Sequence, residues 1–247
     1  MIRQLKFLFA FSVFLSLAFL PAFAQDAIQQ QQHRLNSSDV EERRDAVLRL
    51  GLMRREAASR AALPALQDAE PIVRATAAKA ILSLGEASVG HLLPLLNDKD
   101  EFVRRETAYA LGDTKSHKAT AALTERLLTD KEQGVRAAAA IALGEIADEA
   151  AVVPLVQTLS TTKKANVFVL RAAAVALGKI KSRAGTAALI STLSNKQLPS
   201  DVRREAARSL GLIGDPTATD ALRTASTDPD PYLAGIAFEA LKKLNRG

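Results

Sequence analysis

The chain writes one helix-sized segment seven times at a nearly constant interval. Its clearest copy runs Phe102-Val103-Arg104-Arg105-Glu106-Thr107-Ala108-Tyr109-Ala110-Leu111-Gly112. With Gly112 as a register mark, the equivalent positions are Gly51, Leu82, Gly112, Gly144, Gly178, Gly211 and Lys242, spaced by 31, 30, 32, 34, 33 and 31 residues. Nine residues before each mark stand Glu42, Val73, Val103, Val135, Val169, Val202 and Leu233. One residue before stand Leu50, Ile81, Leu111, Leu143, Leu177, Leu210 and Leu241. An apolar pair at that spacing, with Ala77, Ala108, Ala139, Ala206 or Ala237 between, is the buried stripe of an amphipathic helix. A short repeat of this kind cannot bury its stripe alone and must stack on its neighbours. The glycine after the last apolar residue is expected at the helix end, where left-handed backbone is needed. In three copies the apolar spacing continues a turn further, to Ile146, Ile180 and Ile213.

A second apolar segment precedes each later signature: 57–66, 89–96, 119–128, 151–159, 184–193 and 217–225. Each repeat therefore reads as helix A, a short turn, and helix B. Pro64, Pro94 and Pro154 fall between apolar residues of helix A, and a bend is expected there because proline removes a backbone donor. The turns carry Asp68, Asp98, Asp100, Asp130, Asp228 and Asp230, and two are longer, Ser160–Asn166 and Ser194–Ser200. Ser38-Asp39 is placed to cap the first signature helix. No segment reads as an interdomain linker. The chain has no Cys and no Trp, and aromatics make up 4%. Ala and Leu supply most of the apolar content, which suits close helix packing rather than a sheet core.

The helix pairs, the proline in helix A, the acid-bearing turn and the Val-Arg-x-x-Ala-x-x-Ala-Leu-Gly helix B resemble HEAT repeats, and look closest to the short HEAT-like repeats of phycobilin lyases. The resemblance covers residues 38–247. It implies an all-α fold, a right-handed α-solenoid of about six to seven helix pairs with the B helices lining the concave face.

The position after the Val is Arg43, Arg74, Arg104, Arg136, Leu170, Arg203 and Ala234. Four residues earlier stand Asp39, Glu70, Asp100, Glu132, Asn166, Pro199 and Asp230. Acid and arginine are lost together in the fifth copy, and Arg203 has Asp201 nearby instead. This pattern predicts a structural ladder in which the acid caps helix B and the arginine pairs with it or with an acid of an adjacent repeat. An anion-binding stripe is the competing reading. A ladder of this kind is also what the family resemblance implies.

Two further columns vary between copies. Two after the Val come Arg44, Ala75, Arg105, Ala137, Arg171, Arg204 and Gly235; six after it come Leu48, Lys79, Tyr109, Ile141, Val175, Arg208 and Glu239. If this face lines the groove, Tyr109, Ile141 and Val175 make an apolar patch flanked by Arg105, Arg171, Arg204 and Arg208, and Arg and Tyr are common binding anchors. Packing between repeats is the other use for Ile141 and Val175. The last copy, ending in Glu239, Lys242, Lys243, Asn245 and Arg246, reads as a polar terminal cap.

Met1–Ala24 reads as a secretory signal peptide: Arg3 and Lys6, an apolar run over 7–20, then Ala22-Phe23-Ala24 before Gln25. Cleavage is expected after Ala24, with export to a periplasm or the exterior. The mature domain then spans 25–247, with 25–37 a worn first helix or a disordered lead-in. Removing Arg3 and Lys6 lowers the formal charge from +6 to +4. That balance does not call for nucleic acid.

His33, His91 and His117 are not spaced as metal ligands, and no His-Glu dipeptide occurs. The iron-binding HEAT-like deoxyhypusine hydroxylases use such pairs. No nucleophile elbow, P-loop or zinc-protease motif is present. The expectation is a non-enzymatic scaffold with no catalytic residues, cofactor or metal, binding a protein or peptide. Neither nucleic acid nor, after cleavage, a membrane is expected as partner. The alternatives are a tetrapyrrole lyase-like subunit and, more remotely, a nucleic-acid binder like the HEAT-like DNA glycosylases.

Overall fold

A computed structural model describes residues 25–160 and 166–244. The fold is all-α, a solenoid of stacked helix pairs, with no strand among the described residues. Every signature lies in a helix B. The helices divide into two compact units, one ending at Leu84 and one beginning at Gly85. The signal-peptide segment and residues 161–165 lie outside the described residues.

The first unit holds α1 (25–34), α2 (Val40–Leu52), α3 (Glu56–Ala62) and α4 (Pro71–Ala80). In α1, Ile28 and Gln31 are buried. Asp39 caps α2 by accepting from the Glu41 N–H at 2.9 Å. The buried stripe of α2, Ala46, Val47 and Leu50, packs against that of α4, Val73, Ala77 and its C-cap Ile81.

The second unit runs α5 (Ala87–Leu92), α6 (Glu101–Thr114), α7 (Thr120–Thr129), α8 (Gln133–Ile146), α9 (Val152–Ser160), α10 (Val167–Ile180), α11 (Thr186–Ser194), α12 (Ser200–Ile213), α13 (Thr219–Ala225) and α14 (Pro231–Leu244). The B helices α6, α8, α10, α12 and α14 stack in sequence, and α7, α9, α11 and α13 form the second layer. Leu111, Leu123, Leu127, Leu143, Leu155, Leu177 and Leu189 are fully buried between the layers. Each such side chain contributes about 1.5–3 kcal/mol.

The register glycines do not end their helices. Gly112, Gly144, Gly178 and Gly211 lie inside α6, α8, α10 and α12, and the left-handed residues come three later, at Lys115, Ala147, Lys181 and Gly214. The glycine serves close approach instead. A Cβ on Gly112 would sit 2.8 Å from Ala142 Cα, one on Gly144 2.8 Å from Ala176 Cα, and one on Gly211 2.7 Å from Ala240 Cβ. From α6 to α14 each B helix thus touches the next where a glycine meets a small residue two positions before the following mark. The same contact joins Gly51 to Ala80 in the first unit, at 2.9 Å.

The helix A prolines act in two ways. At Pro64 and Pro94 the α-helix stops at the preceding turn and continues as a 3-10 segment, Leu63–Gln67 and Leu93–Asn97. Pro154 falls in the first turn of α9, where its missing N–H has no intrahelical acceptor to lose, and the helix is unbroken.

Candidate functional site

The buried arginines are structural, but they bind a different acid from the one four residues before them. Arg43 grips Asp68 with Nε–Oδ2 at 2.7 Å and Nη2–Oδ1 at 3.0 Å. Arg104 grips Asp130 in the same two-pronged way, at 2.8 and 3.0 Å. Arg203 reaches Asp228 at 2.6 Å. Each partner lies in the turn of the next repeat. The third prong folds back onto the arginine's own turn: Arg43 Nη1 donates to the Ser37 carbonyl, Arg74 Nη1 to those of Asp68 and Ala69, and Arg104 Nη1 to that of Asp98. The Arg43 and Arg104 guanidinium groups therefore each bridge two successive turns. Arg136 donates to the Leu127 carbonyl at 2.8 Å, and the apolar Leu170 is buried in the fifth copy.

The arginines thus take the second of the two expected partners, an acid of the adjacent repeat, and the acids four residues earlier do other work. Asp39 and Asp100 cap their helices, Asp100 accepting from the Phe102 and Val103 N–H groups. Glu70 and Glu132 occupy the cap position without a side-chain cap bond. Asp201 accepts from the Val202 N–H and lies 3.8 Å from Arg171, so it is not the acid of Arg203. Helix geometry explains the choice of partner. An N-cap acid turns inward to its own orphan N–H groups, while a buried arginine is directed across to the neighbouring turn. The true acids were visible as turn residues, recurring two positions before the cap.

These aspartates are held ionised. Burial works against the Asp130 carboxylate, but the Arg104 guanidinium and the Glu132 N–H outweigh it and hold its carboxyl below the usual value. Burial likewise opposes Asp68, where Arg43 and the Glu70 N–H prevail. For Asp228 the Arg203 hydrogen bond dominates, and its carboxyl is lowered too.

The variable columns meet on the B-helix face of the second unit. Arg105 and Tyr109 on α6, Ile141 on α8, and Arg171 and Val175 on α10 line one open cleft of about 710 Å³. Gly134, Ala137 and Ala172 leave it hollow, and Glu106 and Phe168 complete its walls. Tyr109, Ile141 and Val175 are half-buried, whereas Phe168 is 65% exposed. Phe168 and Gly134 stand one residue before the Val, a column the sequence reading did not use.

Arg204 and Arg208 are not in this cleft. Arg204 is bound by Asp230, at 2.9 and 2.8 Å, and lies over the Tyr232 ring with 5.1 Å to its centroid. Its Nε and Nη2 donors are taken up within the fold. Arg208 lines a separate cleft between α12 and α14 with Tyr232, Ile236, Phe238 and Lys243. The last helix is therefore not a wholly polar surface: Tyr232 is 72% and Phe238 55% exposed, with Arg204 and Lys242 over their rings. The three histidines are exposed. Among the described residues no cluster of His, Asp and Glu is disposed to hold a metal, and no helix is long and apolar enough to cross a membrane.

The sequence matches HEAT repeats over residues 86–144, 122–199 and 154–242. The chain belongs to the HEAT-repeat family. Its structure is similar to the complex of CpcE and CpcF of phycocyanin lyase from Nostoc sp. PCC7120, with 26% identity, a TM-score of 0.54, and coverage of 89% of this chain and 91% of that one. It is also similar to Escherichia coli YibA, with 22% identity, a TM-score of 0.63, and coverage of 90% and 82%. An engineered protein matches at 23% identity with a TM-score of 0.58, covering 90% of this chain and 69% of that one. No curated protein sequence matches the chain.

Proposed function

We propose that this protein is an exported, non-enzymatic scaffold that binds a protein or peptide segment in the cleft across α6, α8 and α10. The carrying observation is the cleft itself: an apolar hollow of Tyr109, Ile141 and Val175, one from each successive repeat, between the half-buried Arg105 and the exposed Arg171. Arg43, Arg104, Arg203 and Arg204 are each bound to an aspartate, so this face differs in kind from the ladder. HEAT-repeat membership supports protein interaction as the mode of action. Export rests on the pattern of Met1–Ala24. Mass analysis of the mature chain from the exported fraction tests it, with a start at Gln25 expected.

The test of the cleft is photo-crosslinking from position 109, with a probe at exposed Ala121 on α7 as control. A discrete protein captured at 109 and not at 121 is the expected result. Equal, diffuse labelling at both positions would sink the reading. The similarity to the phycocyanin lyase complex favours one second reading, a lyase-like subunit. Pigment carried or transferred on co-expression would support it; a colourless protein would count against it.

A further inference from the structure

The charge and hydrogen-bonding state of the α6–α8–α10 cleft specify the chemistry of what enters it. Arg105 lies over the Phe102 ring, 5.1 Å from its centroid, and among the described residues its one ion-pair contact is the long 3.5 Å approach to Glu106. Arg171 is 3.8 Å from Asp201, beyond hydrogen-bond reach, with its side chain 48% exposed. Among the described residues the Tyr109 hydroxyl has no hydrogen-bond partner. Contrast Arg104 and Arg204, each two-pronged onto an aspartate. Arg43, Arg104, Arg203 and Arg204 are each matched to an aspartate of the following repeat. On this cleft two guanidinium groups, and a phenol, are left with donors to spare around an apolar floor.

Resting on the cleft reading above, we infer that the occupant is an acidic peptide segment in which a bulky apolar side chain is flanked by carboxylates. The apolar side chain fills the hollow over Ile141 and Val175. The carboxylates meet Arg105 and Arg171 on either side, and Tyr109 supplies a further donor. Charge-assisted bonds from arginine to carboxylate are stronger and more directional than neutral ones. The apolar centre supplies the desolvated anchor and the arginines form its rim. A basic or neutral peptide would leave those donors unmatched, which gives the selectivity.

The experiment is selection of random twelve-residue peptides on phage against the full chain, followed by fluorescence anisotropy of the enriched peptides. Wild type is compared with Arg105→Glu, Arg171→Glu, Tyr109→Ala and, as a control in the other cleft, Arg208→Glu. All four positions are at the surface or half-buried, and unchanged helical circular dichroism verifies the fold. Enriched peptides are expected to carry Asp or Glu on both sides of an aliphatic or aromatic residue. Their affinity is expected to fall at least tenfold with each arginine reversal, to fall with added salt, and to be unchanged in Arg208→Glu. Neutral or basic peptides that bind wild type and lose affinity only in Tyr109→Ala would leave the cleft as the site but overturn its acidic specificity. No enrichment, or binding indifferent to all three cleft variants, would overturn both. A labelled single-stranded oligonucleotide that binds as tightly, and loses affinity with the same reversals, would reassign the cleft to nucleic acid.

Discussion

Arg104 and Asp130, 26 residues apart, form a two-pronged ion pair in which both side chains are buried, 7% and 2% exposed. The remaining guanidinium prong holds the carbonyls of Asp98 and Lys99. One side chain therefore ties two successive turns together in the second unit. Arg104→Ala strands a buried carboxylate and two carbonyls, and a loss of about 3–5 kcal/mol is expected. Arg44→Ala removes an exposed pair with Glu41 and should cost no more than about 1 kcal/mol. Urea unfolding followed by far-ultraviolet circular dichroism separates the two, since the chain has no tryptophan to report. Equal effects would mean that the Arg104 bridge is not a determinant of stability.

The same bridges set the response to acid. Asp68, Asp130 and Asp228 titrate lower in the folded chain than their ordinary value. The unfolded chain then binds more protons than the folded one as pH falls, so stability falls with it. Their contribution is fully present above the unfolded carboxyl value of about 4 and is lost as pH drops through the folded values. The urea midpoint is expected to be level on this account above that point and to decline below it. In Asp130→Asn the decline should be shallower. A decline in the variant as steep as in wild type would detach acid sensitivity from Asp130.

The fold was legible because its signal is repetition: one apolar stripe written seven times fixes helix B, and the segments between fix helix A. Local chemistry was less legible, because it depends on which neighbour a side chain faces. Spacing along one helix left Arg104 a choice between Asp100 and an acid of the adjacent repeat, and stacking supplies Asp130. The cleft was half legible. Tyr109, Ile141 and Val175 share a column, but Phe168 and Gly134 enter from another, and Arg204 is withdrawn by Asp230 from the repeat that follows. The Arg–Asp contacts between repeats recur at separations of 25 or 26 residues, a regularity that spacing within one helix does not display.

Glycine and alanine exchange roles at the end of α8. Gly144 sits inside the helix, where a Cβ would press on Ala176 Cα at 2.8 Å. Ala147 holds the left-handed position with φ 58°. Gly144→Ala improves helix propensity but overpacks a backbone contact, and a net loss of roughly 1–3 kcal/mol is expected. Ala147→Gly relieves the left-handed strain and is expected to stabilise by a few tenths to about 1 kcal/mol after its added unfolded-state entropy. Thermal unfolding of the two single variants checks the pair. Opposite signs are required; a stabilised Gly144→Ala would show that α8 and α10 do not approach as described.

Thr107 is fully buried in α6, and among the described residues its hydroxyl has no hydrogen-bond partner. Its equivalents in neighbouring copies are Ala77 and Ala139, so the repeat does not need a polar group there. Valine keeps the branched shape while replacing the hydroxyl with a methyl. Removing an unsatisfied buried hydroxyl without opening a cavity should raise stability by about 1 kcal/mol. Thr107→Ala also removes the hydroxyl but leaves a small void, so its gain should be smaller. Urea midpoints of the two variants at neutral pH decide the matter. A loss in Thr107→Val would mean that the hydroxyl is satisfied in solution, and that this position joins α6 to a bound water rather than to a dry core.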